Sequence, residues 1–303
     1  MKTENTTQVF SAAGKLMLFG EYLVINGAKS LAFPLKFGQT LEINPLPESK
    51  ILWEATSPDG LWFNCELNEK LEVVETNNDE ATGLLARLLG ECHRLRPELN
   101  VYNHFKINAN FDLNWGLGSS STFVSLLCQW AKMDPYKMLE ISFGGSGYDI
   151  ACATAKKPIV FERTPHYHYA QEIDLSNNVT DKFLFVYLGQ KQNSRDEIKR
   201  FGKRSHTEAD IEQMDAIVDK AVNSSTIEDF ELLLNQSEDL LSPILGLEKL
   251  KDRIFADYKY SIKSLGAWGG DFFLATFRDL DKAKDYFKTK GFTTMFTYKE
   301  LVK

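Results

Sequence analysis

The pattern of hydrophobic and polar positions in the first half of the chain predicts strands followed by helices. Across residues 8–71, short apolar segments alternate with Gly, Pro, Asn and Asp, which is typical of strands joined by turns. Leucines at helical spacing predict a helix over 80–95, and alternating apolar and polar residues predict a half-buried strand over 103–112. A further helix is expected from about residue 121 to 132.

The second half continues as a mixture of strands and helices. A glycine-rich loop at 142–148, a helical stretch and a short strand lead to a domain boundary near residues 165–180, so we predict domains 1–170 and 171–303. Strands are expected at 183–188, 272–277 and 292–298, and helices at 207–222, 226–241, 247–260 and 280–288. The fold class predicted from this alternation is α+β, in two halves.

Composition narrows the classes of function. The net charge of −7 over 303 residues argues against a nucleic-acid partner, because phosphate backbones are bound by clustered Lys and Arg. No run of about 18 apolar residues is present, and the N-terminal residues lack the pattern of a secretory signal, so we expect a cytoplasmic protein with no membrane partner. The four cysteines form no C-x-x-C pair and are expected to be reduced and structural.

The first segment with candidate chemistry is residues 12–22, which read Ala-Ala-Gly-Lys-Leu-Met-Leu-Phe-Gly-Glu-Tyr. Lys15 lies within an apolar, strand-like run, and Glu21 directly follows a glycine at the end of that run. Either side chain could face a cleft. Taken alone, the segment is more typical of a strand with solvated charges that ends in a turn.

The second segment runs directly into an apolar helix and has the composition of a phosphate-binding loop. Backbone N–H groups at a helix start bind anionic oxygens, glycines allow close approach, and a serine hydroxyl can reach a metal held by the phosphates. Two glycines and consecutive hydroxyl residues exceed what a serine N-cap requires, and the spacing matches neither a Walker A loop nor the dinucleotide fingerprint. The loop consists of Gly116, Leu117, Gly118, Ser119, Ser120 and Ser121.

The third segment, residues 144–151, reads Gly-Gly-Ser-Gly-Tyr-Asp-Ile-Ala and places Asp149 at the start of a predicted helix. From sequence alone, capping of that helix is a commoner role than catalysis for such an aspartate. Phosphoryl transfer, however, needs a carboxylate for the acceptor hydroxyl, a cation over the phosphates and a held magnesium ion. Asp149, Lys15 and Ser120 are residues of those types.

In this order, the segments resemble the motifs of the GHMP kinases, the superfamily of galactokinase, homoserine kinase, mevalonate kinase and phosphomevalonate kinase. The first resembles the opening motif P-G-K followed by G-E, the second the phosphate loop G-L-G-S-S, and the third the S-G-x-D segment of mevalonate and phosphomevalonate kinases. A fourth stretch, residues 263–271, is similar to the C-terminal motif G-A-G-G-G-G. The resemblance spans residues 12–276.

The resemblance implies a two-domain fold, with an N-terminal domain like part of a ribosomal protein and a ferredoxin-like C-terminal domain. It also implies ATP and Mg²⁺ as cofactors, a small-molecule substrate, and a monomer or homodimer. By position, Asp149 and Lys15 would be catalytic, the loop at 116–121 would hold ATP, and Ser120 would bind magnesium. The expected backbone wall near the phosphates is Gly266, Ala267, Gly269 and Gly270, and the expected substrate contacts are Glu21, Ser146, Gly147, Lys191 and Ser194.

Several positions depart from the family pattern. Ala13 replaces the usual proline, and Trp268 and Asp271 stand where glycines are usual, which could reshape the wall around a different substrate. The stretch that carries the magnesium-binding glutamate of mevalonate kinase is shorter here, so Glu140 is the candidate for that role.

The G-E-Y and G-S-G-Y-D-I-A segments look closest to the mevalonate and phosphomevalonate kinase branch. The expected activity is transfer of the ATP γ-phosphate to mevalonate or phosphomevalonate in isoprenoid precursor synthesis. Two alternatives stay open: a catalytically impaired relative that binds a ligand, and an enzyme like diphosphomevalonate decarboxylase, which shares the fold and consumes ATP.

Overall fold

The computed structural model describes residues 6–164, 166–189, 206–266, 268 and 270–303. Two compact units make up this chain. The first comprises the chain up to Gly14, Phe37–Leu113 and Gly118–Gly144, and the second comprises Lys15–Lys36, Asn114–Leu117 and the chain from Gly145 onward. The boundary predicted at residue 170 separates the two domains expected for the family, whereas these two units are defined by how compactly the chain packs. The predicted boundary therefore stays a prediction.

Twelve strands and ten α-helices are described. The strands are β1 Gln8–Phe19, β2 Ser30–Pro45, β3 Ile51–Ser57, β4 Gly60–Leu67, β5 Val73–Thr76, β6 Asn103–Ala109, β7 Ile159–Arg163, β8 His168–Glu172, β9 Phe183–Tyr187, β10 Ile262–Ser264, β11 Phe272–Thr276 and β12 Met295–Thr297. The helices are α1 Asp79–Leu95, α2 Ser119–Ala131, α3 Pro135–Ser142, α4 Tyr148–Thr154, α5 Asn177–Thr180, α6 Glu208–Asn223, α7 Ile227–Leu245, α8 Leu250–Ile254, α9 Leu280–Thr289 and α10 Tyr298–Leu301. This content confirms the α+β class.

The first unit contains helices α1 to α3 and a mostly antiparallel sheet of strand order β5-β4-β3-β6-β2, with β1 paired with β2. Strand β1 belongs to this unit up to Gly14, and β2 from Phe37. Strand β6 alternates buried and more exposed residues, as its sequence predicts, and pairs antiparallel with β2 from Gln39 opposite Ala109. Its Phe105 ring stacks on Trp53 and meets Trp130 of α2 edge-on, both at 5.0 Å between ring centroids. Aromatic packing of this kind holds helix α2 against the sheet.

The second unit contains the strand order β2-β7-β8 and a separate four-stranded antiparallel sheet, β10-β11-β9-β12. Strand β11 is buried along its whole length, and β9 is buried except at its last residue. Phe273 of β11 packs with Phe255 and Phe287 at centroid distances of 5.0 and 5.3 Å. This core also includes Ile262, which fixes β10 beside β11.

Some predicted elements differ from those observed. Helix α8 covers only Leu250–Ile254 of the predicted 247–260, since Phe255 and Tyr258 enter the core from turns rather than from one helical face. Strand β12 is shorter than predicted, and helix α3 was not predicted, although its Asp134 N-cap followed by Pro135 is a typical helix start. Among the described residues, no helix is long and apolar enough to cross a membrane.

Candidate functional site

Lys15 lies in β1 and is fixed to the glycine loop by its backbone and by its side chain. The Lys15 backbone N–H donates to the Leu117 carbonyl at 2.9 Å, and the Lys15 ammonium donates to the Gly116 carbonyl at 3.0 Å. The positive φ of Gly116, 69°, favours glycine there. The predicted cation therefore lies beside the start of the predicted phosphate loop.

Helix α4 brings a carboxylate to the same cluster. Gly147, with a φ of 92°, precedes the helix and makes no side-chain cap, while the Asp149 carboxylate in the first turn accepts the backbone N–H of Ile150 at 3.0 Å. The Lys15 ammonium lies 5.9 Å from the centroid of the Tyr148 ring. Lys15, Tyr148 and Asp149 thus form one group within the second compact unit.

The electrostatics of this group keep Lys15 charged. Burial lowers the pKa of the Lys15 ammonium, but Tyr148, Asp271 and Asp149 together raise that pKa above its ordinary value. Burial raises the pKa of Tyr148 to about 12, against the opposing effect of Lys15. Burial and the nearby Asp149 also raise the pKa of Cys152, so that thiol is a packing group rather than a nucleophile.

The remainder of the glycine loop starts helix α2 in the first compact unit. Gly118 adopts a left-handed conformation, with φ 93°, and no side chain caps the helix. The Ser121 hydroxyl donates to the Gly118 carbonyl at 2.9 Å, and Ser121 is only 2% exposed. Ser119 and Ser120 are half-buried, so theirs are the loop hydroxyls that retain access to solvent. An uncapped helix start with accessible hydroxyls suits an anionic ligand.

The fourth motif is described at Gly266, Trp268, Gly270 and Asp271, whereas Ala267 and Gly269 lie outside the described residues. Trp268 and Asp271 have positive φ values of 45° and 54°, a conformation that glycine adopts more easily. Both side chains are buried, at 5% and 4% exposure. Trp268 and Asp271 therefore both adopt the left-handed backbone conformation that glycine favours.

Glu21 is buried at 1% exposure and its carboxylate accepts from the Lys263 ammonium at 2.5 Å. Glu238 of α7 completes a buried triad, since one of its oxygens lies 3.5 Å from the same ammonium and accepts the Ser264 backbone N–H at 3.1 Å. Two carboxylates share a single cation here. Burial raises the pKa of Glu21, and burial raises the pKa of Glu238 to about 7, so the triad retains a proton on a carboxylate near neutral pH.

The remaining predicted residues lie in different surroundings. Ser146 is buried at 6% exposure beside Gly147, whereas Glu140 is exposed on α3. Lys191 and Ser194 lie outside the described residues. The substrate roles of Glu21 and Ser146 and the metal role of Glu140 stay predictions.

Sequence reasoning missed three residues of these clusters. Asp271 was treated only as a departure from a glycine motif, yet its carboxylate lies against Gly116. Lys263 and Glu238 were given no role, although both are almost fully buried. The neighbours of Lys263 include Ser261 and Ser264 as well as Ile262 and Leu265, so the sequence carries no clear signal that this lysine is buried.

The residues present fit magnesium ATP. In the second compact unit, Lys15 is held in its charged form beside Gly116, which suits a phosphate. In the first, the serines and the uncapped start of helix α2 are also of a kind that binds phosphate. Within the described ranges, no cluster of three or more His, Cys, Asp or Glu is arranged to hold a metal ion alone. Magnesium in phosphoryl-transfer sites takes part of its coordination from the nucleotide phosphates, so such a cluster is not required.

Comparison with solved structures identifies the fold. Mevalonate kinase from Methanococcus jannaschii superposes with a TM-score of 0.69 at 20% identity, covering 97% of this chain and 98% of that chain. Phosphomevalonate kinase from Streptococcus pneumoniae, in complex with phosphomevalonate and AMPPNP, gives a TM-score of 0.73 at 16% identity over 96% of this chain and 99% of that chain.

The chain has the GHMP kinase fold. Galactokinase from Lactococcus lactis, complexed with galactose, also matches, with a TM-score of 0.70 at 14% identity over 96% of this chain and 92% of that chain. No protein-family model and no curated protein matches the sequence. This chain thus shares its fold with a mevalonate kinase, a phosphomevalonate kinase and a galactokinase at 14–20% sequence identity.

Proposed function

We propose that this protein is an ATP-dependent small-molecule kinase that transfers the γ-phosphate of ATP to mevalonate or phosphomevalonate. The observation that carries the proposal is the grouping of Lys15, Tyr148 and Asp149 with the Gly116 carbonyl. A cation beside a glycine loop and a carboxylate at the same place are the parts that phosphoryl transfer requires.

Each residue has a defined task in this proposal. Lys15 stabilises the negative charge on the transferring phosphoryl group, and the raised pKa of Lys15 keeps it protonated while it does so. With mevalonate as acceptor, Asp149 orients the hydroxyl and accepts its proton as the hydroxyl oxygen bonds to the γ-phosphorus and the bond from that phosphorus to the leaving ADP oxygen breaks. With phosphomevalonate as acceptor, a phosphate oxygen makes the new bond and no hydroxyl proton has to be accepted. Ser119 and Ser120 would hold phosphate oxygens, and the Ser120 hydroxyl would also bind a magnesium ion, which would neutralise the phosphate charge.

The choice of acceptor rests on the resemblance of residues 144–151 to the S-G-x-D segment of the mevalonate and phosphomevalonate kinases. The likeness in fold to one mevalonate kinase and one phosphomevalonate kinase is in keeping with it. A galactokinase shares the fold equally well, so the acceptor needs a direct assay.

The test is ATP consumption in the presence of magnesium with mevalonate, phosphomevalonate, diphosphomevalonate, homoserine and galactose, with carbon dioxide monitored in parallel. Turnover on mevalonate or phosphomevalonate without carbon dioxide is the expected result. Carbon dioxide release from diphosphomevalonate would favour the decarboxylase alternative. Binding of ATP without turnover of any acceptor would instead favour a catalytically impaired ligand-binding protein.

A further inference from the structure

Asp271 is an unusual residue at its position. It is 4% exposed, its φ of 54° lies in the left-handed region, and its backbone carbonyl accepts the N–H of Leu188 at 2.7 Å. A buried carboxylate and a glycine-like backbone at the same residue both carry a free-energy cost. Because Asp271 carries both costs, it is a candidate for a functional role at the site.

Gly116 provides the space for this carboxylate. A Cβ atom on Gly116 would lie 2.2 Å from the carboxyl carbon of Asp271 and 2.3 and 2.4 Å from its oxygens. Only a residue without a side chain at 116 can therefore accept the Asp271 carboxylate in this place. A Cβ on Gly266 would lie 3.9 Å from the nearer oxygen, which is ordinary van der Waals contact.

Lys15 contacts the same glycine. Its ammonium donates to the Gly116 carbonyl at 3.0 Å, while the Asp271 carboxylate lies against the Gly116 α-carbon. Asp271 is the second of the three groups that raise the pKa of Lys15, after Tyr148 and ahead of Asp149. Gly116 is thus contacted by the positive group at its carbonyl and by the negative group at its α-carbon.

We propose that Asp271 is a positioning residue, which holds the Lys15 ammonium charged and oriented at the start of the phosphate loop. The proposal rests on the proposed function, in which Lys15 stabilises the transferring phosphoryl group. Asp271 acts through Lys15 and Gly116 rather than on the substrate. The departure from glycine at 271 is then a functional feature of this chain rather than a loss of the motif.

The first test compares Asp271→Asn with the wild type. Asparagine keeps the shape that packs on Gly116 and removes the charge, so we expect kcat/KM for magnesium ATP to fall on the order of tenfold, because the cation is less well oriented. The alkaline limb of the pH–rate profile should move to lower pH, since Lys15 loses a neighbouring negative charge. Asp281→Asn, an equal change of charge at an exposed position of α9, should alter neither.

A second measurement does not depend on enzyme activity. With lysine labelled at Cε, NMR titration of the protein without nucleotide follows the Lys15 ammonium, and Lys15→Arg assigns its signal. The Lys15 titration should move to lower pH in Asp271→Asn and also in Asp271→Gly, a variant that suits the left-handed backbone and is expected to fold.

The outcomes separate the two proposals. An unchanged Lys15 titration in both variants overturns the role of Asp271, as does a lower rate with a wild-type pH profile, which would indicate a purely structural effect. A wild-type protein with no turnover on any acceptor would remove the proposed function, while the NMR titration would still decide whether Asp271 holds Lys15.

Discussion

The Lys263 ammonium lies 2.5 Å from a carboxylate oxygen of Glu21, and the two side chains are 0% and 1% exposed. Lys263 belongs to β10, and Glu21 follows the last residue of β1 and Gly20, so the pair joins two segments separated by 242 positions in sequence. Glu21 lies near the end of the first motif, residues 12–22, and Lys263 begins the fourth, residues 263–271. The pair therefore fixes the end of the first motif to the start of the fourth.

Removal of Lys263 should destabilise the protein strongly. Lys263→Met keeps the volume but leaves two buried carboxyl groups without their cation, and breaking a buried ion pair costs about 3–5 kcal/mol. Urea unfolding of the variant measures this loss. Lys157→Met, which removes an exposed pair with Asp174 at 2.8 Å, is the matched control and should cost less than about 1 kcal/mol. Equal losses in the two variants would contradict the assigned importance of the buried pair.

The triad should also make stability depend on pH. The pKa of Glu238 in the folded state is about 7, above its ordinary value of 4.5, so the folded protein holds a proton that the unfolded chain releases. The stability that this proton contributes is then fully present below about pH 4.5 and is lost as pH rises through about 7. The raised pKa of Glu21 acts in the same direction.

Glu238→Gln removes the part of this dependence that Glu238 contributes, because glutamine stays neutral at every pH, and the part from Glu21 remains. Between about pH 4.5 and 7 the free energy of unfolding of the wild type should fall by roughly 2–3 kcal/mol more than that of the variant. Chemical unfolding at a series of pH values measures the difference. Glu248→Gln, at an exposed position, should keep the wild-type slope, and a wild-type slope in Glu238→Gln would show that another group titrates.

Asp149→Asn should keep the fold and ATP binding but lose turnover. An asparagine oxygen can still accept the N–H of Ile150, which the carboxylate accepts at 3.0 Å, so helix α4 should persist. Loss of the proton acceptor should lower kcat by about 100-fold or more. Steady-state kinetics and calorimetric ATP binding, measured on the same preparation, separate the two effects. Turnover at the wild-type rate would show that Asp149 is not catalytic.

Ser120→Ala should weaken ligand binding, whereas Ser121→Ala should lower stability. Ser120 is half-buried at the helix start, so its loss should weaken magnesium-dependent ATP binding by roughly tenfold, about 1.4 kcal/mol. Ser121 is buried and bonded to Gly118, so its loss should reduce stability by about 1 kcal/mol instead. ATP titrations with and without magnesium, paired with thermal unfolding, distinguish the two. A reversed pattern would mean that Ser121 is the hydroxyl that contacts the ligand.

Gly116→Ala tests the packing of Asp271. The new methyl group would overlap the carboxylate and occupy a left-handed backbone, so we expect a loss of about 1–3 kcal/mol. Adding Asp271→Gly to the same chain should recover part of that loss, and a double-mutant cycle measures the coupling. Gly83→Ala, in helix α1 with open space around it, should be neutral or stabilising. Additive losses in the cycle would show that the two residues do not contact.

The sequence by itself determined the α+β class, most of the strands and helices, and the order of the glycine-rich segments. Residues 103–109 alternate so regularly that only a half-buried strand suits them, and the leucines at 84, 85, 88 and 89 define a helix face. Periodicity and turn residues act over a few positions. Local patterns of this kind can therefore be read without knowing what packs against them.

The tertiary structure alone decided which distant side chains meet. No spacing in the sequence indicates that Lys263 lies against Glu21 and Glu238, or that the Asp271 carboxylate occupies the space that Gly116 leaves open. Each of these contacts joins segments more than 20 positions apart, and the same side chains would be ordinary surface charges if the strands met differently. Burial turns them into an ion triad and a charged cluster, because electrostatic interactions strengthen where water is excluded.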